Sequence, residues 1–185
     1  MRIIIGITGG SGAIYGVAML QVLKELGIET HLVVTGMGEY VVEHETGMTL
    51  ADLRKMASHS YDNKDLSAKI SSGSYKTDGM IVVPCSMKTL SSIAHGSSEG
   101  LLTRAADVVL KEGRKLVVMP RETPLSVIHL ENMLKLAKAG VKVMPLAPGF
   151  YHHPEKIEDL IRTMVGRALD QLEIDHHLIQ RWGED

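Results

Sequence analysis

The chain has 185 residues, 44% hydrophobic and 23% charged, with 20 basic against 22 acidic side chains and a formal charge of −2. That length suits one domain rather than two, and the composition excludes a disordered chain. The near-neutral balance suggests neither nucleic acid nor an anionic membrane as partner, and the single cysteine, Cys85, excludes an intrachain disulfide and a multi-cysteine zinc site.

From the N-terminus, residues 2–7 (RIIIGI) predict a strand, and TGGSG at 8–12 predicts a tight loop into a helix over 12–26. The start of such a helix offers N–H groups and a positive dipole end to an anion. A dinucleotide fingerprint reads G-x-G-x-x-G, but Tyr15 stands where the third glycine belongs and Gly16 comes one place late. A second strand is predicted at 28–34, followed by Thr35-Gly36. An NAD-binding protein would show an acid there for the ribose, whereas Thr35 offers only a hydroxyl, so a dehydrogenase is disfavoured. Helices follow at 37–46 and 50–56. The polar stretch 57–77 reads as a loop with one short extra element.

A third strand is predicted at 78–83. In the following PCSMKT, Ser86 is an N-cap candidate for a helix over 86–95, with Thr89 in its first turn, and this turn too could hold an anion. Cys85 has two readings: a thiol of lowered pKa beside the cap, or a small buried apolar residue. A helix at 100–112 places Arg104 and Lys111 on nearly one face. A strand at 115–119 runs into Pro-Arg-Glu-Thr-Pro, where Arg121 can clamp phosphate or a carbonyl, or form a surface ion pair. A helix at 126–139 and a strand at 141–144 lead to PLAPGFY, a rigid loop presenting Tyr151, and then to a helix at 155–173 carrying Arg167. His152, His153, His176 and His177 show no metal spacing and read as solvent-facing or interface residues. The tail from about residue 174 cannot easily bury itself within one sheet. It packs across a neighbouring subunit, closes over a site, or frays.

Alternating strands and helices predict an α/β fold: one three-layer, Rossmann-like or flavodoxin-like domain over 1–185, with a parallel sheet and ligands at the carboxyl ends of its strands. The opening strand runs straight into a glycine loop, unlike a secretory leader, and no apolar run approaches the ~18 residues of a membrane span. A cytoplasmic location is expected.

The blocks TGGSGAIYG, DGMIVVPCSMKTL, RAADVVLKEGRKLV, PRETPLSVIHLENMLKLAKAG and PLAPGFYHHPE resemble the UbiX-type flavin prenyltransferases, and the likeness covers nearly the entire chain. That family includes proteins named as the small B subunit of phenolic or hydroxyarylic acid decarboxylases. The resemblance implies a flavodoxin-like fold in a dodecamer, with FMN and dimethylallyl phosphate bound at subunit interfaces and no metal required. It also implies transfer of the dimethylallyl group to N5 and C6 of reduced FMN, with release of phosphate. The prenylated FMN would then pass to a UbiD-type decarboxylase.

Carried over by the resemblance, the FMN contacts are Gly9, Gly10, Ser11, Thr35, Arg121 and the turn of Ser86, Met87, Lys88 and Thr89. Tyr151 and Arg167 would contact the prenyl phosphate, with Arg104 and Lys111 lending charge and Trp182 lying near the site. Ser11, Glu45 and Glu122 match positions linked to catalysis. In that chemistry cations steady the leaving phosphate, an aromatic face steadies the allylic cation, and a carboxylate or the released phosphate takes the proton lost on ring closure. Two positions depart from the family pattern: Gly10 replaces a common alanine, and Thr35-Gly36 replaces a common Ser-Lys. A peptidyl-cysteine decarboxylase would show P-x-M-N-x-x-M-W where this chain has PLAPGFY. A flavin-carrying, non-catalytic subunit would leave the converging charged residues without a purpose.

Overall fold

The computed structural model describes residues 1–181 and 183. Its strands are β1 (Arg2–Ile7), β2 (Glu29–Val34), β3 (His59–Asp62), β4 (Gly79–Cys85), β5 (Lys115–Pro120) and β6 (Lys142–Val143). Its helices are α1 (Ala13–Glu25), α2 (Gly36–Thr46), α3 (Leu50–Met56), α4 (Met87–Ala94), α5 (Leu101–Lys111), α6 (Val127–Lys138) and α7 (Ile157–Gln171). All strand pairs are parallel, in the order β3-β2-β1-β4-β5-β6. This is the doubly wound 3-2-1-4-5-6 order of the Rossmann sheet, not the 2-1-3-4-5 order of flavodoxin.

The layers follow from alternation along the strands. Ile3, Ile5 and Ile7 of β1 point to one face, where they meet Val17 and Leu20 of α1 and Val165 and Leu169 of α7. Ile4 points to the other face and joins Met80 and Val82 of β4 in a cluster with Leu90 of α4 and Leu102 and Val109 of α5. Each fully buried Ile or Leu contributes roughly 1.5–3 kcal/mol, so both faces of the central strands are strongly fixed. Gly16 explains the displaced glycine of the opening motif. A Cβ there would lie 2.7 Å from the Val83 carbonyl oxygen, so its lack of a side chain lets α1 lie close on β4.

The polar stretch 57–77 departs from expectation. It contains β3, paired with β2 in the register His31 to His59 and Val34 to Asp62, as well as a 3-10 turn at Lys69–Ser71. An edge strand makes one ladder and is half exposed, so HSYD carries no apolar run to betray it. Beside it His31 is fully buried. Burial, with the charges of His59 and Lys69, pushes its imidazole down to about 4, against a smaller opposing pull from Glu29.

The tail packs on its own chain as far as it is described. Ile174 and His176 are buried, and His176 Nε2 lies 2.9 Å from the Gly166 carbonyl oxygen on α7. The segment folds back on its own chain because Gly166 leaves room. A Cβ there would lie 2.8 Å from Ile179 and 2.9 Å from the His176 ring. The expectation of a solvent-facing or interface histidine is therefore corrected for His176, while His177 is exposed.

Candidate functional site at the carboxyl edge of the sheet

The strand order reverses direction between β1 and β4, and there the two loops are stitched together. The buried Thr8 hydroxyl donates to the Pro84 carbonyl and accepts from the Ser86 N–H, both at 2.7 Å. Gly12 follows at φ +94°, a left-handed conformation that glycine adopts without strain. The Gly12 and Ala13 N–H groups then donate to Glu45 Oε2 of α2, at 2.9 and 2.8 Å. Ser11 donates to the same carboxylate, and Arg121, from the loop after β5, lies within electrostatic reach. Burial works to raise the Glu45 pKa, but the hydrogen bonds from Ser11, Ala13 and Gly12, with the Arg121 charge, hold it below the usual carboxylate range. The start of α1, expected to receive a ligand anion, is thus closed by the protein's own carboxylate.

The open anion site lies alongside. A cavity of about 470 Å³ is lined by Gly9, the α2 start (Thr35, Gly36, Met37), the α4 start (Ser86, Lys88, Thr89) and the α5 start (Gly100, Leu102, Thr103), together with Asn63, Ser92 and Glu99. Its volume falls in the usual range for a small-ligand pocket. Thr35 Oγ1 caps α2 by accepting from the Gly38 N–H at 3.1 Å, and Ser86 Oγ caps α4 by accepting from the Thr89 N–H at 3.3 Å. The first N–H groups of α2 and α4 have no intrahelical acceptor and remain available to a phosphate. At α5 the corresponding groups are taken: the Leu101 N–H donates to the Asn63 carbonyl at 2.7 Å and the Leu102 N–H to Asn63 Oδ1 at 3.0 Å. Met87 packs into the core cluster beneath α4 and Gly10 lies against Pro84 and Ser86, so neither lines the cavity.

A second cavity, of about 840 Å³, is lined by Tyr151, His152, Arg167, Ile179, Gln180, Arg181 and Gly183. Asp170 organises it. Arg167 Nη1 and Arg181 Nη2 each donate to this carboxylate at 2.9 Å, and His176 Nε2 lies 3.2 Å away. Burial opposes the Asp170 charge, but Arg181, His176 and Arg167 outweigh it and keep the carboxyl below its ordinary pKa. Tyr151 is 84% exposed.

Within one chain the predicted residues therefore fall into three groups. Gly9, Ser11, Thr35, Glu45, Ser86, Lys88, Thr89 and Arg121 gather at the carboxyl edge, and Tyr151 and Arg167 gather at the tail cavity. Arg104 and Lys111 line neither cavity: Arg104 donates to the Ser71 carbonyl and to Asp107, and Lys111 pairs with Glu112. Glu122 is exposed and accepts from the Thr123 N–H at 3.1 Å. Trp182 lies outside the described residues. Cys85 is fully buried and its thiol is pushed up to about 12, which removes the reactive reading. Asn63, Ser92, Glu99 and Thr103 are cavity residues that sequence reasoning missed. Asn63 follows β3, so recognising that strand would have exposed it.

A doubly wound sheet with unsatisfied helix starts around a cavity at its switch point is the architecture of a protein that binds a phosphorylated flavin. A Flavoprotein family profile matches residues 1–169. A probable UbiX-like flavin prenyltransferase of Bacillus subtilis is 51% identical over 182 residues, covering 98% of this chain and 89% of the relative. A dodecameric FMN-dependent UbiX-like decarboxylase from Escherichia coli O157:H7 superposes with a TM-score of 0.96 at 52% identity, over 98% of this chain and 99% of that one. AnUbiX, solved with FMN and dimethylallyl pyrophosphate, gives 0.97 at 46% identity, over 98% and 97% of the two chains. The chain belongs to the UbiX-type flavin prenyltransferases of the Flavoprotein family.

Proposed function

We propose that the protein joins the dimethylallyl group of dimethylallyl phosphate to N5 and C6 of reduced FMN and releases phosphate. The observation that carries this reading is the closed start of α1, where Glu45 takes the Gly12 and Ala13 N–H groups next to Ser11, with the Arg121 charge in electrostatic reach, alongside a cavity suited to a flavin phosphate. A mere flavin carrier needs the cavity but not that arrangement.

Thr35, Ser86, Lys88 and Thr89 would hold the FMN phosphate, with Gly9 letting the start of α2 close against the first loop, since a Cβ there would sit 2.7 Å from Met37 Cβ. Bound reduced FMN supplies the electron-rich ring positions that accept the prenyl carbon. Ser11 and Glu45 form a proton relay at the edge of that site, and Glu122, next to Arg121, is the second carboxylate offered for the proton lost from C6. Tyr151 and Arg167 would bind the prenyl phosphate, where a guanidinium fork stabilises the leaving dianion and the ring faces the developing cation.

Assembly completes this site. Arg104 and Lys111 stand apart from both cavities, so their charge would reach a site only from another copy in a dodecamer. Val127, Ile128, Leu130 and Leu134 of α6 expose apolar surface suited to such packing. The product would serve a UbiD-type decarboxylase. Among the described residues no helix is long and apolar enough to cross a membrane, and a cytoplasmic location belongs to this proposal.

Incubating the protein without air with FMN, dithionite and dimethylallyl phosphate should yield a flavin heavier by one five-carbon unit, with phosphate released in equal amount. An unchanged flavin mass with no phosphate released would refute the reading.

A further inference from the structure

At the opposite end of the sheet from the flavin cavity, Glu29 opens β2 and His59 opens β3, while His31 lies two residues along β2 from Glu29, on the same face. His31 and His59 are register partners with stacked rings 4.8 Å apart. Glu29 Oε1 lies 3.2 Å from His31 Nε2 and 3.3 Å from His59 Nε2, and the three candidate donor atoms all lie within 4.8 Å of one another. A tetrahedral zinc ion with bonds of ~2.0–2.1 Å separates its ligands by about 3.3 Å, so two edges of that polyhedron are already set.

We propose that Glu29, His31 and His59 form a binding site for a divalent transition metal of the zinc class, separate from the flavin site. The surrounding groups are arranged for it. Arg2 Nε donates to Glu29 Oε2 at 3.0 Å, which fixes the carboxylate and leaves Oε1 turned towards both imidazoles. The Tyr61 hydroxyl lies 2.9 Å from His31 Nδ1, where its oxygen can accept a hydrogen bond from the Nδ1–H while Nε2 ligates, the outer partner that metal-bound histidines normally have. The Tyr75 hydroxyl, 3.3 Å from His31 Nε2, would give up a long hydrogen bond to the ion. Half-exposed His59 and Glu29 leave an entry path from solvent, and water would take the fourth position. Two imidazoles and one carboxylate suit zinc, cobalt, nickel or copper ions and disfavour magnesium and calcium. Arg2 and Lys69, whose Nζ lies 4.9 Å from the centre of the Tyr75 ring, are nearby cations that moderate the affinity.

The ion would pin the short edge strand β3 to β2. Because β3 leads directly to Asn63, it would also steady the residue that caps α5 at the wall of the flavin cavity.

The test is a cobalt titration of full-length, tag-free protein stripped with chelator, followed by visible absorption and competed with zinc or magnesium. One cobalt per chain should bind with the intense bands of a four-coordinate ion, displaced by zinc and not by magnesium. His59→Gln and Glu29→Gln should each weaken binding at least tenfold while flavin binding, which reports the fold, is kept. Tyr61→Phe should weaken it by about tenfold, the usual cost of losing an outer partner. Absence of binding through the millimolar range, or wild-type affinity in His59→Gln or Glu29→Gln, would overturn the proposal.

Discussion

The starts of α1 and α4 look alike in sequence and behave differently in the structure. Both follow neighbouring parallel strands at the switch point, and both carry small residues suited to an anion. At α1 the cap is Gly12, which brings no side-chain acceptor, and Glu45 reaches across from α2 to take the Gly12 and Ala13 N–H groups. At α4 the cap is Ser86, whose hydroxyl takes only the Thr89 N–H, so the first amides stay available beside the cavity. A glycine loop fixes where amides point. Which anion receives them is decided by a residue some thirty positions along the chain, and here that difference separates a relay from a phosphate site.

Glu45→Gln should break this contrast with the largest effect. Neutralising the carboxylate removes the charged partner of Ser11, and turnover should fall by about 100-fold or more, the usual worth of a positioned acid–base group. Flavin binding should survive, because Glu45 does not line the cavity. Stability adds a pH signature. The folded Glu45 pKa is depressed, so its contribution is fully present above the unfolded carboxylate value of about 4.3 and disappears as pH falls through the folded value. Urea unfolding of the wild type and Glu45→Gln should therefore differ at neutral pH and converge only in acid, once pH has fallen through the depressed folded value. A stability gap that is constant with pH would show that the charge is not what closes α1.

Gly36→Glu attacks the open side. No atom lies within 4 Å of a Cβ at Gly36, so the substitution meets no steric obstacle, yet it puts a carboxylate at the start of α2 beside the cavity. Helix stability should hold or rise slightly, since an acid suits that end. FMN affinity should fall by about tenfold, or ~1.4 kcal/mol, through repulsion of the flavin phosphate. Fluorescence titration of FMN measures this, and unchanged affinity would move the phosphate away from α2.

The same contrast shows what the chain discloses before folding. Central strands were legible because β1, β4 and β5 are covered on both faces and must be apolar throughout. The helix start at Ser86 was legible because capping is a local act of a hydroxyl on an amide three residues on, whereas the caps at Thr35 and Ser126 emerged only with the fold. The edge strand β3 was not, since its pairing is by backbone and its side chains are polar and partly exposed, so Asn63 was lost with it. The division of Arg104 and Lys111 from Tyr151 and Arg167 was also hidden, because helical spacing places residues on a face without saying what that face meets. The family likeness named these residues together, whereas a single chain keeps them apart.

The smallest effect is expected at Gly10, which stands between the two helix starts. A Cβ there meets Pro84, Ser86 N and the Cys85 carbonyl carbon no closer than 3.5 Å, which is ordinary contact, and Gly10 is not among the positive-φ glycines. Alanine can adopt this backbone without strain, and its narrower freedom in the unfolded chain favours folding. Gly10→Ala should therefore stabilise the protein by about 0.4–1 kcal/mol or leave it unchanged, with FMN affinity and turnover kept. Thermal unfolding followed by circular dichroism checks this. A loss of more than ~1 kcal/mol would be far outside that range and would mean that the loops before α1 and α4 are held too tightly at Gly10 to admit a methyl group. The closed and open amide sets would then be one coupled structure, and Glu45→Gln should disturb FMN binding as well as turnover.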